Sequence, residues 1–543
     1  MNAAYSIGVD FGTESGRALL LDLTSGEEVA VSVVPYPSAV IDRSLPSTGE
    51  RLPPDWALQD PEDWVATIQT AIPEVLTRAN ISPQDVVGIG VDFTSCTVLP
   101  VTDEGVPLCT LEPWRARRHA WPKLWKHHAA QPVAARLTDV ALDRGEDFLT
   151  RYGGRISSEW YFPKLIEIWL EDREVYEAAD RFIEATDWIV WHLTGAERRQ
   201  SCTAGYKAFW SESEGLPPTE FFEAAYPGFS RPAEKLGTEF SPLGTRAGTL
   251  RAELAARLGL PDSVAVAVGN VDLFVSVPGA RVQDPGTYVT VVGTSICDMV
   301  VHPSEIRLPG ITGVVKDGIL PGLYGYEAGQ VAVGDMLAWF VETLAPGRAS
   351  FDALEQGAAE LGPGQTGLVA LDWWNGNRTI LADADLTGVI CGLTLQSTRD
   401  EIYRALLESI AFGNRRIMDN FEEHGLALSE IVACGGIAEK SPLTMQLLAD
   451  TSGRPVYVPA SSEIPARGAA LFGGVAAGVY EDISAAVAAT RPSTARTYRP
   501  DSAAKATYDR VYAIYRTLYE ELGRSQAELL HELKRIRIER TAA

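Results

Sequence analysis

A chain of 543 residues is too long for one hydrophobic core, so two large domains are expected. Its 47 basic and 72 acidic residues leave a net charge of −25, which argues against nucleic acid or an anionic membrane as partner. The apolar runs are far shorter than a bilayer span, the start lacks a leader pattern, and the six scattered cysteines form no CxxC pair, so a cytoplasmic protein without structural zinc is expected.

Residues 7–22, IGVDFGTESGRALLLD, read as two strands joined by a Gly-rich turn, the first ending in Asp10. Turn amides and hydroxyls beside a carboxylate suit a phosphate carried with Mg²⁺. Arg17 and the turn N–H groups would face phosphate oxygens, and Asp10 would hold the metal directly or through water. An ordinary hairpin with a turn-favouring aspartate fits the same residues.

Residues 61–78 have helical spacing at Trp64, Ile68, Ile72 and Val75. Residues 86–91 are an apolar strand that again ends in an acid, Asp92, followed by Phe93, Thr94, Ser95 and Cys96. Residues 98–101 with the Asp103-Glu104-Gly105 turn read as the next hairpin element. Residues 114–142 concentrate Trp114, Arg115, Arg117, Arg118, Trp121, Lys123, Trp125 and Lys126. That stretch is either a helix with buried indoles and solvated cations or a cleft wall where an indole stacks on the C–H face of a polyol.

Residues 164–169 and 186–193 read as helices, and 201–210, SCTAGYKAFW, as a loop carrying Lys207. Residues 264–272, VAVAVGNVD, are a third buried strand running into an acid. Residues 288–301 repeat the first hairpin, with a turn through Gly293, Thr294 and Ser295. Residues 431–450 give a strand, Gly435-Gly436 and a helix, an arrangement that brings backbone close to a nucleotide but is also a common tight turn. Asp383 and Asp385 lack the glutamate of an EF-hand loop and read as a turn. Two half-chains, each opening on a strand–GT turn–strand hairpin, predict two related α/β domains whose GT turns face each other across a nucleotide-holding cleft. No GxxxxGK[ST] sequence occurs, which excludes a P-loop enzyme.

Asp10 in DFGTESGR, Asp272 in GNVD, Gly293-Thr294 in VVGTS and Gly435-Gly436 in ACGG together resemble the FGGY carbohydrate kinases of the actin/hexokinase-like superfamily. Pro163-Lys164-Leu165 with Trp169, and GVICGLTLQSTRDEIYRALLE at 388–408, look like further signatures. SCTAGYKA, EATDWI, KLWKHHAA, GYEAGQ and LDWWNGNR are most similar to the members that act on L-ribulose. The resemblance runs over about residues 5–478.

It implies two actin/hexokinase-like (ribonuclease H-like) α/β domains with an interdomain cleft. Residues 1–277 would be the sugar-binding domain with the catalytic base, and 278–543 the nucleotide-binding domain with a C-terminal helical tail. The implied activity is ATP- and Mg²⁺-dependent phosphorylation of L-ribulose in L-arabinose catabolism. Asp272 would take the proton of the attacking hydroxyl, and Asp10 would organise the metal. Thr13 and Arg17 would lie near the transferring phosphate, Gly293 and Thr294 would hold phosphates from the other domain, and Gly435 and Gly436 would pass the adenosine. Ser95, Trp125, Lys207 and Glu327 would grip the sugar with Asp272. The implied partners are a small-molecule sugar and ATP, with neither nucleic acid nor membrane; a homodimer is compatible.

Two positions depart from the family pattern. Leu273-Phe274 follows the base where Ala-His is usual, and Ser441 stands where Asn is common. Arg115, Arg117 and Arg118 have no role in this reading. The same chemistry on D-ribulose, xylulose or ribitol is the nearest alternative. A non-catalytic actin-like nucleotide or sugar sensor is a distant one.

Overall fold

The computed structural model describes residues 4–345, 350–490 and 494–541. The expected hairpin forms from β1 (Tyr5–Phe11) and β2 (Ser15–Asp22); β3 (Glu28–Pro35) extends it, and β4 (Val86–Phe93) runs parallel to β1 on the other side. A ribbon of β5 (Val98–Val101) and β6 (Arg181–Glu184) belongs to a long excursion, and the chain returns through β7 (Arg246–Thr249), β8 (Ala265–Ala267) and β9 (Asn270–Val271). The sheet order is β3-β2-β1-β4-β8-β7, with β9 paired to β4.

The second half repeats this plan. β10 (Thr287–Val292) and β11 (Ile296–His302) form its hairpin, β12 (Gly313–Lys316) and β13 (Tyr324–Gln330) extend it, and a ribbon of β14 (Val369–Leu371) and β15 (Val389–Cys391) intervenes. β16 (Glu430–Cys434) then runs parallel to β10, followed by β17 (Val456–Pro459) and β18 (Thr494–Tyr498), in the order β12-β13-β11-β10-β16-β17-β18. Both hairpins were legible because a short Gly-containing turn separates two apolar runs of strand length.

The two halves are interlocked. Helix Ile464–Ala476 lies on β1 and β4 of the first sheet, so closely that a Cβ on Gly8 would sit 1.7 Å from the Ala466 carbonyl oxygen and one on Gly90 1.8 Å from that of Ala469. It also meets helix Asp272–Gly279 through Gly468, where a Cβ would come within 2.1 Å of the Val275 carbonyl oxygen. One hydrophobic core is therefore shared, with Leu19 and Leu21 from the first sheet, Val289 and Met299 from the second and Ala466 and Ala469 from the helix. In the tail, helix Ser502–Glu520 buries Tyr508, Tyr512, Tyr515 and Tyr519, at helical spacing, in the second core. No helix among the described residues is long and apolar enough to cross a membrane.

Three local expectations are corrected. Residues 201–210 are not a loop: Ser201–Lys207 is a buried helix capped by the Gln200 side chain, and its small residues allow close packing, Gly205 against Val315. Residues 114–142 are not one helix; two 3₁₀ turns, Trp114–Ala116 and Arg118–Ala120, precede helix Gln131–Arg144. β5 pairs with the distant β6, while the turn after it reaches only a single bridge between Val101 and Pro107.

Candidate active site

The ends of β1 and β4 bring two acids together, because parallel pairing sets Asp10 opposite Asp92. Antiparallel pairing with β2 sets Arg17 beside Asp10, Nε to Oδ2 at 3.5 Å, and Arg17 Nη1 reaches Glu463 Oε2 at 3.3 Å, just ahead of helix Ile464–Ala476. Asp10 is buried, and burial raises its pKa although Arg17 pulls it down. Both carboxylate oxygens of Asp92 are buried without a hydrogen-bond donor. Burial, then the charges of Asp10 and Asp272, push its pKa well above the usual carboxylate range. The shift favours a proton on Asp92 beside Asp10, and a cation between them would act the other way. Two buried carboxylates, one of them unsatisfied, fit a divalent ion of the magnesium kind, which keeps waters and phosphate oxygens as its other ligands.

The turn after Asp10 is closed by Gly12 N–H donating to the Ser15 carbonyl at 3.0 Å. Thr13 Oγ1 accepts from Trp125 Nε1 at 3.0 Å, and its carbonyl from Gln59 Nε2 at 2.8 Å. Trp125 is thus fixed to the same turn that presents Thr13 and Arg17.

Asp272 opens helix Asp272–Gly279 half-buried, with Leu273 N–H donating to its Oδ1 at 2.6 Å. Burial and then Asp10 push its pKa up to about 7, against the Leu273 N–H, Lys207 and Arg17. Lys207 Nζ lies 2.7 Å from Glu327 Oε2 and 3.0 Å from Oε1, with both side chains buried. Burial works against the Lys207 ammonium, but Glu327 more than offsets it and its pKa is raised. The pair joins a helix of the first half to β13 of the second. Phe274 stacks on Tyr206, ring centroids 4.1 Å apart, and its ring lies 6.0 Å below the Lys207 ammonium.

Ser95 is half-buried, and its loop is tied to the Trp125 segment by Lys164. This buried lysine donates to the Cys96 carbonyl and, at 2.8 Å, to that of Leu124. Burial lowers its pKa to about 8.

In the second half, Gly334 N–H donates to the carbonyls of Gly293 and Thr294 at 3.2 and 2.9 Å, and Thr294 is exposed. Gly435 sits at φ +92°, where a Cβ would meet the Val292 carbonyl oxygen at 2.8 Å, while Gly436 faces open space. Among the described residues no hydrogen bond or ion pair links these four to the Asp10 group. Ser441 caps helix Pro442–Ser452 and donates to Glu355 at 2.7 Å.

Sequence reasoning gave no role to Asp92, Glu463 or the Lys164 bridge. The acid ending β4 was visible as a repeat of Asp10, but strand pairing is what sets the two side by side. Two of the three arginines without a role have partners. Arg117 pairs with Asp172 at 2.5 Å and Glu174 at 2.8 Å, and Arg118 with Glu171 at 3.3 Å while lying over the Trp56 ring. Asp383 and Asp385 sit in a turn and pair with His531 and Lys534.

The model of the N-terminal domain of the FGGY family of carbohydrate kinases matches residues 5–279, and that of the C-terminal domain residues 288–477. The chain is 48% identical to a ribulokinase of Anoxybacillus flavithermus over 98% of its own length and 97% of that protein's. It is 43% identical to a ribulokinase of Mycolicibacterium smegmatis over 99% and 97%. Among solved structures, a xylulose kinase from Rhodospirillum rubrum superposes with a TM-score of 0.80 at 26% identity, covering 97% of this chain and 100% of that one. A glycerol kinase of Plasmodium falciparum with ADP shares the fold at a TM-score of 0.77 and 16% identity, covering 95% and 98%. Two matched family domains and near-complete coverage at this identity place the chain in one group: it belongs to the FGGY family of carbohydrate kinases.

Proposed function

We propose that the chain has the activity by which relatives up to 48% identical are named, ATP-dependent phosphorylation of L-ribulose to L-ribulose 5-phosphate in L-arabinose catabolism. ATP and a sugar are the small-molecule partners that family membership implies. The observation that carries the reading is Asp272, half-buried at a helix start, with Asp10 and the Glu327-paired Lys207 both close enough to act on its carboxylate.

Phosphoryl transfer asks a protein mainly for alignment and charge stabilisation. As the sugar hydroxyl oxygen bonds to the γ-phosphorus, the bond from that phosphorus to the β–γ bridging oxygen breaks and ADP leaves. The hydroxyl proton passes to the Asp272 carboxylate. Lys207, Glu327, Ser95 and the Trp125 face would hold the remaining sugar oxygens and carbons, a mixture suited to a many-hydroxyl ligand. Thr13 and Arg17 would face the transferring phosphate. Gly293 and Thr294 would hold the other phosphates, and the open space at Gly436, next to Gly435, would take the adenosine. Asp10, with Asp92 behind it, would hold a Mg²⁺ ion, which when bound neutralises phosphate charge. Six free cysteines accord with a cytoplasmic setting.

Phe274 favours a second reading, the same transfer to another ketopentose or to a pentitol. Its ring is committed to Tyr206 below Lys207 and offers the sugar no polar group. Turnover of L-ribulose, D-ribulose, xylulose and ribitol by the purified protein, followed as ADP release, separates the two. L-ribulose should give the highest kcat/KM; a strong preference for xylulose would defeat the proposal while leaving a sugar kinase.

A further inference from the structure

Residues 377–383 form a loop closed at its neck by Asn377 and Asp383, which exchange two backbone hydrogen bonds of 2.8 Å. Its tip is held twice more. Thr379 Oγ1 accepts from Gly329 N–H at 2.8 Å, and Ile380 N–H donates to the Gly310 carbonyl at 2.8 Å. Ile380 adopts φ +84°, an outlier for a β-branched residue, and strain of this kind persists where the surroundings impose a conformation.

The loop presents Arg378. The Thr379–Gly329 bond sets it beside β13, two residues along from Glu327, in reach of the Lys207–Glu327 pair. Its Nη2 lies 3.8 Å from Oε1 of Glu159, which comes from the excursion of the first half. That separation is beyond hydrogen-bond length. Its other polar neighbours are the Glu327 carboxylate and the thiol of Cys297, directly across from Gly329 in the β11–β13 register. Arg378 keeps about a quarter of its side chain exposed, 24%. A guanidinium offers five N–H donors, and among the described residues no carboxylate oxygen lies within hydrogen-bond length of it.

We propose that Arg378 is a sugar-binding residue, donating to an oxygen of the bound sugar from the nucleotide-side half of the molecule, with Glu159 orienting it from the other half. This deepens the proposed sugar-kinase reading and rests on it. Lys207 and Ser95 hold the sugar from the first half, whereas Arg378 reaches it only while the halves are together. Sugar occupancy and the approach of the two halves are therefore linked through this side chain. A positioned cation facing sugar oxygens also costs affinity for an analogue that lacks the matching hydroxyl, because a donor then goes unpaired.

The test uses the full chain and the variants Arg378→Gln, Arg378→Lys and Glu159→Gln. Initial rates are measured with ATP and each of L-ribulose, D-ribulose, xylulose and ribitol, and with monodeoxy analogues of whichever sugar the wild type accepts. Arg378→Gln should raise the sugar KM about ten- to hundred-fold while the KM for ATP stays within about threefold. Arg378→Lys should recover part of this loss, and Glu159→Gln should give a smaller rise in sugar KM. One deoxy analogue should be disfavoured by the wild type but not, relative to the parent sugar, by Arg378→Gln. A merely structural role would not shift that discrimination. A sugar KM unchanged in Arg378→Gln, or a loss confined to kcat or to the ATP KM, would overturn the assignment in favour of a phosphate contact or none. If the wild type turns over none of the four sugars, the kinase reading fails and this one falls with it; if it turns over one and Arg378→Gln is silent, only this one falls.

Discussion

As the proposed base, Asp272 has to be a carboxylate when the sugar hydroxyl attacks, yet its burial and the nearby Asp10 hold its pKa up to about 7. A base tuned near the working pH accepts a proton readily and is still largely available. Replacing it with asparagine keeps shape and hydrogen bonding but removes the acceptor. Asp272→Asn should lower kcat by about 10²- to 10⁴-fold with little change in sugar KM. Full activity in that variant would remove Asp272 from the mechanism. The sign of the pH dependence follows from the same shift. The competent form is deprotonated, so kcat/KM for the sugar should climb with pH and level off, the midpoint lying at or below about 7 because a cation at Asp10 cancels one of the charges that raises the pKa. A profile that falls with rising pH through this range would contradict a carboxylate base. Asp272 was legible in the sequence as the acid ending an apolar run. Asp92 was equally visible as a residue, but its role depends on standing opposite Asp10 in an adjacent strand, and pairing between strands some 80 residues apart leaves no local mark.

The element that fixes this geometry is helix Ile464–Ala476, which settles onto β1 and β4 because glycines remove the side chains that would hold it off. At Gly8 an added methyl would lie 1.7 Å from a backbone oxygen of that helix, and backbone cannot step aside as a flexible side chain can. Overpacking costs typically about 1–3 kcal/mol; Gly8→Ala, pressed against a carbonyl, should reach the top of that range or leave the protein insoluble. Denaturant unfolding would check it, and a midpoint like that of the wild type would show that the helix shifts at no cost. Because Glu463 precedes the helix and pairs with Arg17, the same change should also disturb the turn proposed to face the phosphates. At this scale the sequence was informative where elements follow local rules. The two hairpins and helix Pro61–Ala79 came out close to their observed limits. Helix Ser201–Lys207 did not, since its Ser, Cys, Thr and Gly have weak or turn-like preferences and a distant contact, Gly205 against Val315 of β12, supports it. In the stretch around Arg117 the sequence left the arginines without a role, because their partners Asp172, Glu171 and the Trp56 ring lie far off in the chain.

Across the whole molecule, ion pairs of different burial connect the two halves, and their burial decides what each contributes. Lys316–Glu212 at 3.2 Å and Arg307–Asp147 at 2.6 Å have partners exposed by 67% and 70%, so water and salt screen them. Exposed pairs contribute about 0–1 kcal/mol. Lys207–Glu327 differs, with side chains only 3% and 5% exposed. Removing one partner there leaves a buried charge uncompensated, which costs about 3–5 kcal/mol, whereas replacing both by apolar groups can be nearly neutral. Glu327→Gln should therefore destabilise strongly, Lys316→Ala should leave the unfolding midpoint almost unchanged, and Lys207→Met with Glu327→Leu should recover much of the stability but none of the sugar turnover. Unfolding of a two-half molecule need not be all-or-none, so the comparison is made on the first transition in urea. If Glu327→Gln proves as mild as Lys316→Ala, the buried pair does not hold the halves together, and the sugar rather than the protein would be what brings Asp272 and β13 into one site.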